Sequence, residues 1–103
     1  MVNTAGKLKM TESIISNTYR CIICGREYGL HRHHIFEGTG RRAKSEKYGC
    51  WVYLCPAHHN MSDRGVHFDH ELDLRLKTAC QIAWESQYGD RTEFIQIFGR
   101  SYL

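Results

Sequence analysis

Proline occurs only once in the chain, at Pro56, and no hydrophobic run is long. So little proline argues against a collagen-like fibre or a proline-rich linker. The longest uncharged apolar stretches are a few residues, such as Cys50-Trp51-Val52-Tyr53-Leu54-Cys55, too short to cross a membrane. The polar start, with Asn3, Thr4, Lys7 and Lys9, lacks the apolar stretch of a secretory signal. The expectation is a soluble, cytoplasmic protein without a membrane partner. A net charge of +3 is only a slight bias toward an anionic partner. What is present, 42% hydrophobic, 12% aromatic and 24% charged residues, is the composition of a folded protein rather than a disordered tail.

At 103 residues the chain suits one domain. A domain of this size buries roughly 60–65% of the surface its unfolded chain exposes, so its core benefits from a staple. Five cysteines and seven histidines indicate what kind. An odd cysteine count without an export signal speaks against a disulfide framework, and mixed Cys and His at short spacing speaks for metal.

Four stretches can be separated. Residues 1–18 are polar and weakly patterned and read as a flexible N-terminal arm; residues 19–103 form the domain. Cys21-Ile22-Ile23-Cys24-Gly25 predicts a tight knuckle leading into a first strand that closes with Leu30-His31-Arg32-His33-His34-Ile35. A basic loop follows, then a second strand, Trp51-Val52-Tyr53-Leu54, rich in aromatic and β-branched residues. Pro56 then fits the first turn of a helix, and Gly65 marks a break. From Asp69 to Tyr88 the residues Leu72, Leu76, Ala79 and Ala83 recur at helical spacing, with Asp69 as the expected cap. Cys80, Trp84 and Tyr88 extend the same apolar face. A last short amphipathic segment has Thr92 as its expected cap. Its apolar residues Phe94, Ile97 and Phe98 could dock internally or against a second copy, so monomer and weak homodimer both stand.

Cys21 and Cys24 form one chelating pair, Cys55 and His58 another, each with two intervening residues. Three thiolates and one imidazole complete a tetrahedron that suits structural zinc. Closing it would tie the knuckle to the turn after the second strand and contribute to folding directly, by roughly ten kcal/mol in isolated zinc peptides. Cys50 and Cys80 have no neighbour of this kind and read as packing residues.

The same closure carries the His31-Arg32-His33-His34 strand toward His59, with Asn60 and His67 beyond it. Imidazoles gathered in one place repel when protonated, so they should be neutral and share a metal cation. Adjacent strand residues point to opposite faces, so His33 and His34 reach one point only where the strand ends, twists or bulges.

The order of these features resembles the HNH nucleases, which fold as a ββα-metal (His-Me) finger. The resemblance rests on the Cys-x-x-Cys pair, on His33-His34-Ile35-Phe36, on Ser45-Glu46-Lys47-Tyr48-Gly49, on Leu54-Cys55 through His58-His59, and on Gly65-Val66-His67-Phe68. It covers about Cys21 to His67 and looks most like small bacteriophage enzymes of the recombination-enhancement, RecA-dependent nuclease group. It implies an α+β fold, a small zinc-stapled core with C-terminal helices. It implies a metal-dependent endonuclease that hydrolyses DNA phosphodiester bonds in a bacterial host cell, linked to recombination and to a recombinase filament. His34 would be the general base, and His33 and His59 ligands of a catalytic divalent cation (Mg²⁺, Mn²⁺, Ni²⁺ or Zn²⁺). The third ligand is His67 or Asp63. His67 lies about 12 Å beyond His59 along an unbroken helix, so it serves only if Gly65 folds it back.

That chemistry suits the residues: a neutral imidazole can take a proton from water near neutral pH, and a cation can offset charge on the phosphate. The scarcity of carboxylates beside the histidines favours one metal over two. Arg41, Arg42, Lys44 and Lys47 on the loop, with Arg64, could hold phosphates without reading sequence. Two rival readings remain: a zinc-stapled DNA- or protein-binding module without catalysis, and a redox sensor built on the zinc thiolates.

Overall fold

The structure is a computed structural model and describes residues 12–38, 40–60 and 65–103. It is a mixed α/β fold in which two short strands are surrounded by helices. The elements run β1 (His31–His34), α1 (Arg41–Tyr48), β2 (Trp51–Leu54), α2 (Pro56–His59), α3 (His70–Gln87) and α4 (Arg91–Phe98). The strands pair antiparallel, with His31 opposite Leu54 and His34 opposite Trp51. None of the helices among the described residues is long and apolar enough to cross a membrane.

The connection between the strands is α1, not the basic loop expected from its charge. Arg, Ala, Lys and Glu are good helix formers, and only Ser45 of α1 is buried, so no apolar stripe announced the helix. Gly49 ends it at φ 73°, its N–H bonding the carbonyls of Ser45 and Glu46. Ser45 Oγ donates to Phe36 O at 2.9 Å and accepts from Phe36 N at 3.0 Å, which fixes the turn after β1.

The flexible arm expected over residues 1–18 needs its boundary corrected, because Ser13 and Ile14 are packed. Ser13 is buried and donates through Oγ to Trp51 O at 2.6 Å, and Ile14 N donates to Gly49 O at 2.9 Å. This segment straps the end of α1 to β2. A Cβ on Gly49 would collide with the Glu12 carbonyl, so the close approach requires glycine. Residues 1–11 lie outside the described part.

α3 begins where Asp69 accepts a hydrogen bond from Leu72 N at 3.1 Å, as its capping position predicts. Its buried face is Leu76, Cys80, Gln81 and Trp84, whereas Ala79 is exposed. Gln81 is tolerated there because its amide is satisfied. Its Nε2 donates to Ser101 Oγ at 3.0 Å and to Glu85 at 2.8 Å, and its Oε1 accepts from Tyr102 N at 2.6 Å. α4 is capped by Asp90 rather than Thr92, because Asp90 and Glu93 form a reciprocal capping box.

Phe94 and Phe98 are fully buried, so the last segment docks internally. Phe98 lies 4.5 Å from Phe36 and 4.7 Å from Phe94 between ring centroids, with Trp84 closing the cluster. Each such ring contributes about 1.5–3 kcal/mol by leaving water. The cluster fixes Phe36, and with it the end of β1. Cys50 and Cys80 are also fully buried. They prove to be neighbours: a side-chain hydrogen bond to Cys50, then burial, push the Cys80 thiol up, so it stays protonated packing.

Candidate metal centres

The knuckle forms because Gly25, at φ 82°, lets the chain reverse, with Gly25 N donating to Cys21 O and Cys21 N to Arg26 O, both at 2.8 Å. Ile22 N donates to Tyr53 O at 3.0 Å and so fastens the knuckle to β2. Cys55 caps α2, Pro56 fills its first turn, and His58 N returns to Cys55 O at 3.1 Å. Cys21, Cys24, Cys55 and His58 thereby converge, and could hold a metal ion.

The spacings fit zinc. With Zn–S near 2.3 Å and Zn–N near 2.0–2.1 Å, a tetrahedron has S···S edges of about 3.8 Å and S···N edges of about 3.6 Å. Cys24 and Cys55 Sγ are 3.7 Å apart. His58 Nδ1 is 3.2 Å from Cys55 Sγ and 3.8 Å from Cys21 Sγ. Three soft thiolates favour zinc over magnesium or calcium.

A second convergence joins His33, His59 and His67. His67 arrives because α2 ends within one turn and the chain doubles back. Val66 N donates to His58 O at 2.7 Å and His67 N to His59 O at 3.3 Å. A Cβ on Gly65 would lie 2.8 Å from His59 O, so that return passes only a glycine closely. His59 and His67 bring their Nε2 atoms to 3.1 Å, close to the N···N edge of about 3.4 Å expected around one ion. The other nitrogen of His59, Nδ1, lies 2.8 Å from His31 Nδ1.

His33 is 2% exposed, and its Nε2 is buried with no hydrogen-bond partner among the described residues. Burial, then the neighbouring His59 and His67, push its pKa down to about 3. Burial, then His67 and His31, push His59 down to about 4. Both are therefore neutral donors near pH 7.

His34 leaves the strand on the other side, where its Nε2 meets Glu46 Oε1 at 2.9 Å. Arg32 grips the same carboxylate with two hydrogen bonds, at 3.2 and 2.6 Å, while its guanidinium lies 3.6 Å over the Trp51 ring. The alternation holds, with Arg32 and His34 on Glu46 and His31 and His33 against His59, but the two sides open onto one cavity. Arg32, His33, His34, Glu37, Arg42 and His59 line one open pocket of about 250 Å³. A neighbouring cleft of about 450 Å³, which includes Tyr19, Trp51 and Tyr53, shares Arg32 with it.

Of Arg41, Arg42, Lys44 and Lys47, the expected phosphate contacts, Arg42 alone lines this pocket. Lys44 Nζ donates to Ile97 O at 2.8 Å, Arg41 lies against Gly99, and Lys47 sits 5.4 Å from the Tyr48 ring. Asp63 and Arg64 lie outside the described residues. The expected scarcity of carboxylates is corrected: Glu37 and Glu46 are at the histidines, and Asp73 of α3 lies within metal-sharing distance of His33 and Glu37. Glu37 and Asp73 carry no spacing motif, whereas His31 stood in the histidine cluster and Glu46 in the Ser45–Gly49 stretch without a role assigned to either.

No family model matches this chain, and neither a curated protein nor a solved structure does so.

Proposed function

We propose that the protein is a metal-dependent endonuclease of the HNH type, hydrolysing DNA phosphodiester bonds from the pocket at the end of β1. The observation that carries the reading is the placement of His34 in one pocket with His33 and His59, with His67 Nε2 3.1 Å from His59. A divalent cation on His33, His59 and His67 would offset charge on the phosphate and on the leaving 3′-oxygen. The donor set fits such an ion: neutral imidazoles converge, and one buried nitrogen, His33 Nε2, has no hydrogen-bond partner among the described residues.

His34 is the base. Its Nε2–H donates to Glu46, which leaves the Nδ1 lone pair to take a proton from water. Glu46 holds the imidazole in that tautomer and steadies it once charged. Arg32 donates to both oxygens of Glu46 and so holds the carboxylate still. Arg42, exposed at the pocket, supplies a guanidinium to a phosphate oxygen without reading sequence. The zinc quartet would tie the knuckle to the start of α2 and take no part in the reaction. The association with phage recombination and a recombinase filament is drawn from the sequence resemblance.

The test is incubation of plasmid with the protein and Mg²⁺, Mn²⁺ or Ni²⁺, beside His34→Ala. Wild type should nick or cut, and the variant should bind DNA but be slower by about 10²–10⁴-fold. If both bind DNA equally and both are inert with every metal, the chain is a zinc-stapled binding module instead.

A further inference from the structure

Glu37 is the feature that the three-imidazole reading leaves unused. Its Oε2 stands 3.8 Å from His33 Nε2 and 3.8 Å from His67 Nδ1. Those separations are too long for hydrogen bonds. They are shorter than the roughly 4.2 Å that separates opposite ligands of one ion at 2.0–2.1 Å each. His33 Nε2 and the Glu37 carboxylate therefore bracket a gap of ionic size, whereas His67, which turns Nδ1 to Glu37 and Nε2 to His59, can give only one of those nitrogens to an ion. His33, 2% exposed, keeps its Nε2 there with no hydrogen-bond partner among the described residues, which an acidic side chain alone would not explain. From α3, Asp73 brings a second carboxylate within 4.8 Å of the same His33 and Glu37 atoms. Lys77 ion-pairs with Asp73 at 2.7 Å, so Asp73 is the weaker donor of the two.

We infer that Glu37 supplies a carboxylate oxygen to the cation held on His33, making the histidine centre a mixed imidazole–carboxylate site that retains a hard divalent ion such as Mn²⁺ or Mg²⁺. Imidazoles alone suit zinc, copper or nickel, whereas carboxylate oxygen brings the harder ions within reach. A negative ligand also lowers the net charge of the occupied site, which two neutral histidines cannot do. Asp73 acts from the rim, as an acceptor for the ion's remaining waters. The inference rests on the reading that the histidine cluster holds a cation, and not on the reaction that cation serves.

The experiment is a Mn²⁺ titration of zinc-loaded protein, read as loss of the free-ion electron paramagnetic resonance signal. Wild type, Glu37→Gln, Asp73→Asn and His59→Ala are compared, with zinc content and circular dichroism as controls. Glu37→Gln should weaken Mn²⁺ by about 10–100-fold at unchanged zinc content, and Asp73→Asn by less. Wild-type affinity in Glu37→Gln, with binding lost in His59→Ala, would overturn the role of Glu37 and leave the histidine centre intact. No Mn²⁺ uptake by wild type would overturn both. Tight, Glu37-dependent uptake without any DNA cleavage would support this inference and count against the nuclease.

Discussion

His31 and His59 face each other through their Nδ1 atoms, 2.8 Å apart, across the gap between β1 and α2. Only one of the two nitrogens can carry the proton. When His59 donates, its Nε2 is left with a lone pair aimed toward His67; when it accepts, that nitrogen is blocked. A cation at the centre therefore selects the donating tautomer, and His31 acts as the partner that makes it available. His31→Ala should weaken the second cation by about 10-fold or more in a calorimetric titration while zinc content holds. Unchanged affinity would reduce the contact to packing.

Gly65 controls how closely the returning chain approaches His59. Gly65→Ala places a methyl 2.8 Å from the His59 carbonyl, and the obstacle is backbone, which cannot swing aside. The return must widen, and His67 moves away from His59. The second cation should bind at least about tenfold more weakly, whereas the cysteine quartet keeps its zinc. Metal analysis before and after dialysis against a mild chelator separates the two sites. Equal retention of both metals would show that the turn absorbs the methyl elsewhere.

The buried imidazoles impose a direction on pH dependence. His33 and His59 are held at about 3 and about 4, below the ordinary value of 6.5, so the folded state prefers them neutral. The unfolded chain takes up protons as pH falls through about 6.5, and the folded chain resists until pH 4 to 3. Their contribution to stability is thus complete above pH 6.5 and drains away as pH falls below it. Urea midpoints of zinc-loaded protein between pH 7 and 5 should fall more steeply for wild type than for His33→Asn. Parallel slopes would mean that His33 is solvated or already charged.

The two chelating pairs were legible because ligand spacing within a tight turn is a local property, written in three or four consecutive residues. Asp69 at the head of α3 was legible for the same reason. The return of His67 could be read as a condition on Gly65, and the short α2 meets it. Other features depend on contacts that a linear pattern does not encode. α1 buries only Ser45, so its helix is set by Gly49 and by Ser45 holding Phe36, not by an apolar stripe. Glu37, Glu46 and Asp73 join the histidines from three separate parts of the chain, which no local spacing records. Asp90, not Thr92, caps α4 because the choice depends on which side-chain oxygen reaches a free N–H of the first turn, and Asp90 Oδ1 accepts from Glu93 N.

His58 and His59 are consecutive residues of one four-residue turn, yet they turn toward different metal groups. A chain synthesised where zinc is scarce would lose the anchor of that turn, and His59 would lose its position in the same event. The second group of ligands would then assemble only after the first. On the proposed reading, competence to cut would follow the cell's zinc supply even where manganese or magnesium serves the reaction.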